Sequence, residues 1–259
     1  MKKWTHAVAP FFFIALFCGT WEVFRAAGLL SKVLTPSVYK IFSGIIELLK
    51  DSRFLVDVWF TARRTLLGLL LSLGIGVPIG TAMGISPILG RGLSSIIDFL
   101  RALPAVAIFP ALATLFGIGE LTKVLLIAIP SSLLLATFSY STCRNAPISL
   151  IEAFKLRGFS DYQIVKTILI PSVLINLSLG VRYTLPLGLA LAVVADMFVG
   201  TQHGIGLRLI AYQETFQLPQ LYATIFISGL LGVLLYIIVN IIIKLQNKRS
   251  FNENLNRTT

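Results

Sequence analysis

Few residues of this 259-residue sequence have the type and spacing to do chemistry. Its two histidines, His6 and His203, stand apart, and no helical spacing joins either to a second ligand, so no bound metal is expected. Cys18 lies inside an apolar run and Cys143 at the end of another; the pair has neither metal-site spacing nor the look of a disulfide framework. No Ser/His/Asp, paired-histidine or paired-carboxylate constellation sits in or beside the apolar runs, which argues against a membrane enzyme. A phosphate loop of the form G-x-x-x-x-G-K-[ST] is also missing, so the chain is not expected to hydrolyse ATP, and no cofactor is implied.

What remains is charge placed among apolar residues. An ionised side chain at mid-membrane costs at least ~2.5 kcal/mol on insertion scales, which makes each one a functional candidate. Arg182 follows Pro171 by eleven residues, or ~16 Å along a helix, and is expected to face a bundle interior, as a pathway cation or as a structural arginine. Asp98 and Arg101 are three apart and can pair on one helix. Asp196 falls at the end of an apolar run. Asn176, Tyr183 and Thr184 are hydrogen-bond candidates near Arg182.

The elements that must position these residues are membrane helices. Only 13% of the chain is charged, 56% is hydrophobic and the mean hydropathy is +0.87, far from the roughly 25% charge of a soluble domain. Runs of about twenty apolar residues occur near 9–27, 65–85, 94–116, 122–142, 171–197 and 221–243. The fold class is therefore an all-α membrane protein with six transmembrane helices. The first run follows Met1-Lys2-Lys3 but continues past Trp21 without a small-residue cleavage pattern, so it is read as a retained span. The net charge of +11 would suggest nucleic acid in a soluble protein; here the cations flank the spans, which points to the bilayer and no nucleic acid. With both termini cytoplasmic, eleven cations fall inside and nine outside, seven of them in one long connection that includes Arg63 and Arg64.

That connection holds a second kind of helix. Thr35 is read as its N-cap with Pro36 first, and Val38, Ile41, Phe42, Ile45, Leu48 and Leu49 give it an apolar face. It should lie on the membrane surface or against the outer ends of the spans. Gly76, Gly80 and Gly84 recur every four residues in the second span and invite close approach of another helix. Pro104 and Pro110 interrupt the third span, Pro130 the fourth and Pro186 the fifth.

Residues 145–171, NAPISLIEAFKLRGFSDYQIVKTILIP, are too polar to cross the bilayer yet carry strong local signals. Pro147 opens a helix, Ile148, Ile151 and Phe154 share a face, Glu152 and Lys155 can pair, and Gly158 suits a left-handed stop. Ser160 and Gln163 have the spacing of a capping box for a restart into the fifth span. On physics alone the stretch is a well-capped loop, or a compact knob able to enter a partner's groove.

The same stretch resembles the EAA loop of ABC importer permeases. Glu152, Ala153, Gly158, Ile168 and Pro171 stand at the pattern's positions, with Phe154 for the second alanine and Ile170 for leucine. The resemblance runs from about Val56 to Leu245 and is nearest the taurine, sulfonate, nitrate and bicarbonate branch. It is also carried by Leu66-Leu67-Gly68, Gly76-Val77-Pro78-Ile79-Gly80, Arg101-Ala102-Leu103-Pro104, Phe116-Gly117-Ile118-Gly119-Glu120 and Ala195-Asp196-Met197, where Ala-Glu-Met is commoner. It implies a type I importer-like permease of the bacterial inner membrane, with a cytoplasmic coupling helix formed by Glu152, Ala153, Phe154, Gly158, Phe159 and Ser160. The implied partners are two cytoplasmic ATP-binding subunits, a second permease copy, an extracytoplasmic solute-binding protein and the lipid bilayer. The implied solute is small and anionic, with Arg182, Arg101, Pro104 and Asp196 as pathway candidates, Asp196 meeting the binding protein or water. The corresponding domains are 1–58 (first span plus outer helix), 59–243 (permease domain) and 244–259 (basic cytoplasmic tail). An ion-coupled secondary transporter or channel is the alternative, though the halves show no inverted repeat and the spans no acidic ring.

Overall fold

The computed structural model describes residues 2–198 and 200–256, with side chains placed for residues 12–198 and 200–243. The side chains of Lys2, Lys3 and His6 and the basic side chains after residue 243 lie outside the description. The described chain is helical throughout: α1 (Lys2–Ala26), α2 (Val38–Lys50), α3 (Ser52–Ile85), α4 (Pro87–Ala102), a 3-10 turn (Ala105–Ile108) and α5 (Phe109–Phe116) are followed by α6 (Glu120–Arg144) and α7 (Ile148–Leu156). Then α8 (Asp161–Ile164), a wide π-helical turn (Val165–Leu169) and α9 (Ile170–Met197) run on without a break, before α10 (Ile205–Glu214) and α11 (Leu218–Asn256).

Among the described residues, four helices are long and apolar enough to cross a bilayer, or five if one bent pair counts as a span. The bent pair is the expected third span, where α4 and the segment Ala105–Phe116 meet at 94°. Pro104 sits at that corner, where its ring removes a donor and the chain turns into a new helix instead of bridging the gap. Pro110 starts α5 and does not interrupt it, while Pro78, Pro130 and Pro186 are absorbed inside α3, α6 and α9. The first expected span coincides with α1, part of whose side chains are outside the description.

Two boundaries move. The second span begins at Ser52 and not near 65, because Asp51 caps it by accepting the Arg53 N–H at 2.9 Å. The expected division between residues 58 and 59 thus falls within one helix, and Arg63 and Arg64 ride on a spanning helix rather than in a connection. The outer helix is capped by Ser37, whose hydroxyl accepts the Lys40 N–H, two residues later than the Thr35 cap expected. It does pack against the start of α11, through Gly44, Ile45 and Leu48 on Ala223 and Ile227.

The core is a three-helix block. α3 and α6 run parallel: Gly68 faces Ile127, Gly76 faces the Ser132 carbonyl, Gly80 the Ala136 carbonyl and Gly84 Cys143. At Gly76 and Gly80 a Cβ would run into backbone oxygen that cannot swing aside, so the four-residue glycine spacing is a requirement of the helix approach. α9 returns antiparallel, with Gly180 against Leu135 and Phe138, and Gly188 against Ile127. α11 closes the other side, with Gly232 against Leu189 and Leu231 and Leu235 in the shared core.

Candidate functional site: a hairpin, a charge clamp and an arginine-lined groove

The stretch 145–171 folds as a helical hairpin. α7 ends where Gly158 adopts φ +81°, and the turn closes with the Gly158 N–H donating to the Lys155 carbonyl and the Phe159 N–H to the Phe154 carbonyl. The capping box forms: Ser160 Oγ accepts the Gln163 N–H, and Gln163 Oε1 accepts the Ser160 N–H at 2.8 Å. Phe154 and Phe159 meet edge to face, 4.9 Å apart, and rest on a core that includes Cys143, Ile164 and Val173. Lys155 pairs with Asp161 across the turn at 3.1 Å, not with Glu152 as the spacing suggested, because the chain reverses at Gly158. Of the six expected coupling residues, Phe154 and Phe159 are therefore half-buried anchors, while Glu152, Ala153, Gly158 and Ser160 are exposed. Ile148 and Leu156 are 71% and 89% exposed, which leaves apolar surface on the knob. A Cβ on Gly158 would meet nothing within 4 Å, so backbone conformation alone demands glycine there.

At the other end of the block is a charge clamp. Arg64 is 1% exposed and its guanidinium holds Glu120 bidentately, at 2.9 and 2.5 Å. The same guanidinium donates to Asp196 Oδ1 at 2.5 Å and to the His203 carbonyl at 2.6 Å. Thr61 donates to the other Asp196 oxygen at 2.6 Å and accepts the Ile205 N–H at 2.9 Å. One turn earlier, Asp57 accepts from the Gly204 N–H at 3.0 Å and from Arg208 at 2.5 Å, with His203 Nδ1 at 3.2 Å. Burial disfavours the charge on Arg208, but its hydrogen bond and attraction to Asp57 outweigh that and raise its pKa above the ordinary arginine value. Lys123, 3% exposed, lies 3.9 Å from Glu120. The clamp ties α3, the start of α6, the end of α9 and α10. From Arg64 to Ile85, beside the hairpin, is ~31 Å along α3, about one hydrocarbon thickness.

Asp196, expected at the outer end of the fifth span facing water or a partner, is 0% exposed in this chain and held by Arg64 and Thr61. Sequence reasoning missed Asp57, Arg64, Glu120 and Arg208 as a set. The local signal was present in Asp57, Thr61, Arg64 and Thr65, a polar face at helical spacing on an apolar helix.

Arg101 lines a cleft of about 300 Å³ in the angle of the bent pair, with Leu103, Ala105, Ile108, Pro130 and Leu187, while Pro104 is at the corner itself and does not line the cleft. Arg101 lies 3.6 Å from Asp98 and 3.4 Å from Thr137 Oγ1. Arg182 lies elsewhere and is not buried in the bundle as expected. It is exposed in the single chain, on the α9 face that opens into a groove of about 640 Å³ against α11. Nearby, Asn176 and Thr184 satisfy themselves on the carbonyls of Ser172 and Gly180, while Tyr183 is 70% exposed. Among the described residues no group of His, Cys, Asp and Glu is arranged to hold a metal.

Residues 74–252 match the family described as "Binding-protein-dependent transport system inner membrane component". The chain is 26% identical over 220 residues to a putative aliphatic sulfonates transport permease protein of Bacillus subtilis, covering 85% of this chain and 79% of that protein. It is 25% identical over 227 residues to the taurine transport system permease protein of Escherichia coli, covering 86% and 82%. In fold it is similar to a chain of the MetNI methionine ABC transporter, with a TM-score of 0.65 at 21% identity over 77% of this chain and 96% of that one. Phe116-Gly117-Ile118-Gly119-Glu120 and Ala195-Asp196-Met197, far apart in sequence, meet through Arg64. The family match over most of a helical, membrane-length scaffold makes this chain an inner membrane component of a binding-protein-dependent ABC transport system.

Proposed function

We propose that the chain is the permease subunit of an ATP-driven importer for a small anionic solute of the sulfonate kind, driven by a separate ATPase that grips the α7–α8 hairpin. The observation that carries this reading is the hairpin itself, rigidly capped, anchored inward by Phe154 and Phe159, and presenting Glu152, Ala153, Gly158 and Ser160 beside exposed Ile148 and Leu156. A cytoplasmic partner that closes on this knob can drive α9, because α8 and α9 are one continuous helix. The sulfonate and taurine names of the relatives support the solute class. Two ATPase subunits, a second permease copy and an extracytoplasmic binding protein complete the proposed assembly, with both termini cytoplasmic. Arg101 in the corner cleft, Pro104 at the bend and Arg182 are its proposed pathway residues.

The test is purification in mild detergent followed by reconstitution. A soluble ATPase should remain in roughly stoichiometric amount, and uptake into vesicles should require nucleotide. Gly158→Val forces a β-branched residue into φ +81°, which should distort the knob and abolish uptake while the protein still inserts in the membrane. Nucleotide-independent uptake, or normal uptake with normal solute-stimulated hydrolysis in that variant, would overturn the reading.

A further inference from the structure

Arg182 stands twelve residues from the start of α9 and fifteen from its end, ~18 and ~22 Å along the helix. That is mid-membrane depth. Among the described residues it has no hydrogen bond or ion pair, and none of them neutralises it. An unpaired cation at this depth is disfavoured against lipid tails by at least ~2.5 kcal/mol on insertion scales. The α9–α11 face must therefore meet something polar.

The groove's shape says what. Its walls are apolar, built from Pro186, Leu189, Ala190 and Val193 on α9 and Gly229, Gly232 and Val233 on α11, and its polar contributions come from Arg182, Ser228 and Tyr236. Ser228 donates its proton to the Ile225 carbonyl, which leaves the Tyr236 hydroxyl as the neutral donor of the groove. The two glycines differ in purpose. A Cβ at Gly232 would touch Leu189 at 3.0 Å, so it serves helix packing, whereas a Cβ at Gly229 would meet nothing within 4 Å. Gly229 therefore keeps the groove open without being needed to join the helices. One cation, the Tyr236 hydroxyl as a free donor and a small-residue trough match a singly charged, acceptor-only head with a short hydrocarbon tail.

Resting on the permease reading above, the geometry points to the α9–α11 groove as the membrane-depth binding site of the transported solute, occupied by an organic anion of the alkanesulfonate type with its head on Arg182 and its tail along Gly229 and Ala190.

The test reads the groove directly, in membranes containing the whole complex, with Cys18 and Cys143 replaced by alanine and Ala190→Cys introduced. Two thiol reagents are compared, 2-sulfonatoethyl methanethiosulfonate and its trimethylammonium counterpart, with and without 1-butanesulfonate. The anionic reagent should react, and butanesulfonate should protect. Arg182→Gln should lower the ratio of anionic to cationic rates about tenfold, the effect of one nearby charge acting with opposite sign on two reagents. Gly229→Leu should slow both reagents and remove protection by butanesulfonate. No labelling, as for a face sealed by lipid or by a second copy, would overturn the inference, as would a rate ratio unchanged by Arg182→Gln. ATPase and nucleotide-dependent uptake in membranes containing the unsubstituted complex would show that the permease reading survives such a failure.

Discussion

Replacing Arg64 with methionine should be among the most destabilising single changes in this chain. The substitution removes a guanidinium that serves Glu120, Asp196 and the His203 carbonyl together. The two carboxylates do not suffer equally. The Glu120 side chain is 51% exposed and rehydrates, so its loss counts little. Asp196 is 0% exposed and keeps only the Thr61 hydrogen bond and the more distant charge of Lys123, which leaves a buried carboxylate without its contacting cation. Breaking a buried pair from one side costs ~3–5 kcal/mol. At ~2–4 °C per kcal/mol for a chain of this size, the apparent Tm should fall by roughly 10 °C. Thermal unfolding of the detergent-solubilised complex, followed by size-exclusion chromatography of the surviving fraction, measures this. Asp196→Asn should cost less, because Arg64 retains Glu120, and Glu120→Gln less again. Combining Arg64→Met with Asp196→Asn should recover much of the loss, since the stranded charge disappears. A drop below about 2 °C for Arg64→Met, or a double variant as unstable as the two single losses added, would refute the argument.

Other outcomes follow from the same geometry. Gly80→Val should abolish folded, monodisperse protein, because its Cβ meets the Ala136 carbonyl, while Gly74→Ala, with nothing within 4 Å, should be neutral or slightly stabilising; chromatography of the two side by side checks this. Asp57→Ala strands the Gly204 N–H and weakens the hold on Arg208, which is part-exposed, so a loss of about 2 kcal/mol concentrated in α10 is expected, read as faster amide exchange in residues 205–214. Ser160→Ala should cost ~1 kcal/mol of local stability and speed amide exchange in the second half of the hairpin, with the Tm of the complex nearly unchanged.

How much of this was written in the sequence depends on range. The hairpin was legible because each of its signals is local: Pro147, Gly158 and the Ser160/Gln163 box act within four residues. The glycine spacing in α3 announced a close helix contact, and the structure supplies α6 as the partner. The interruption at Pro104 was legible, but its 94° angle was not, since a proline reports a missing donor and not the direction the chain takes afterwards. The clamp was least visible. Arg64 meets Glu120 and Asp196 across 56 and 132 residues, and nothing in either neighbourhood marks them as partners. Counting Arg64 among flanking charges was the natural error, because a span boundary drawn from hydropathy stops where charges begin.

The wide turn at Val165–Leu169 carries a further consequence for motion. A π-helical turn contains one residue beyond the α-helical complement and can pass it along the chain or relax it. Since each residue of an α-helix advances the azimuth by about 100°, absorbing that surplus would swivel everything downstream about its own axis by that angle, with almost no lateral sweep. The shaft between hairpin and groove therefore contains a built-in swivel joint, by which a short stroke at one face of the membrane can be converted into a change of which residues look inward at its middle.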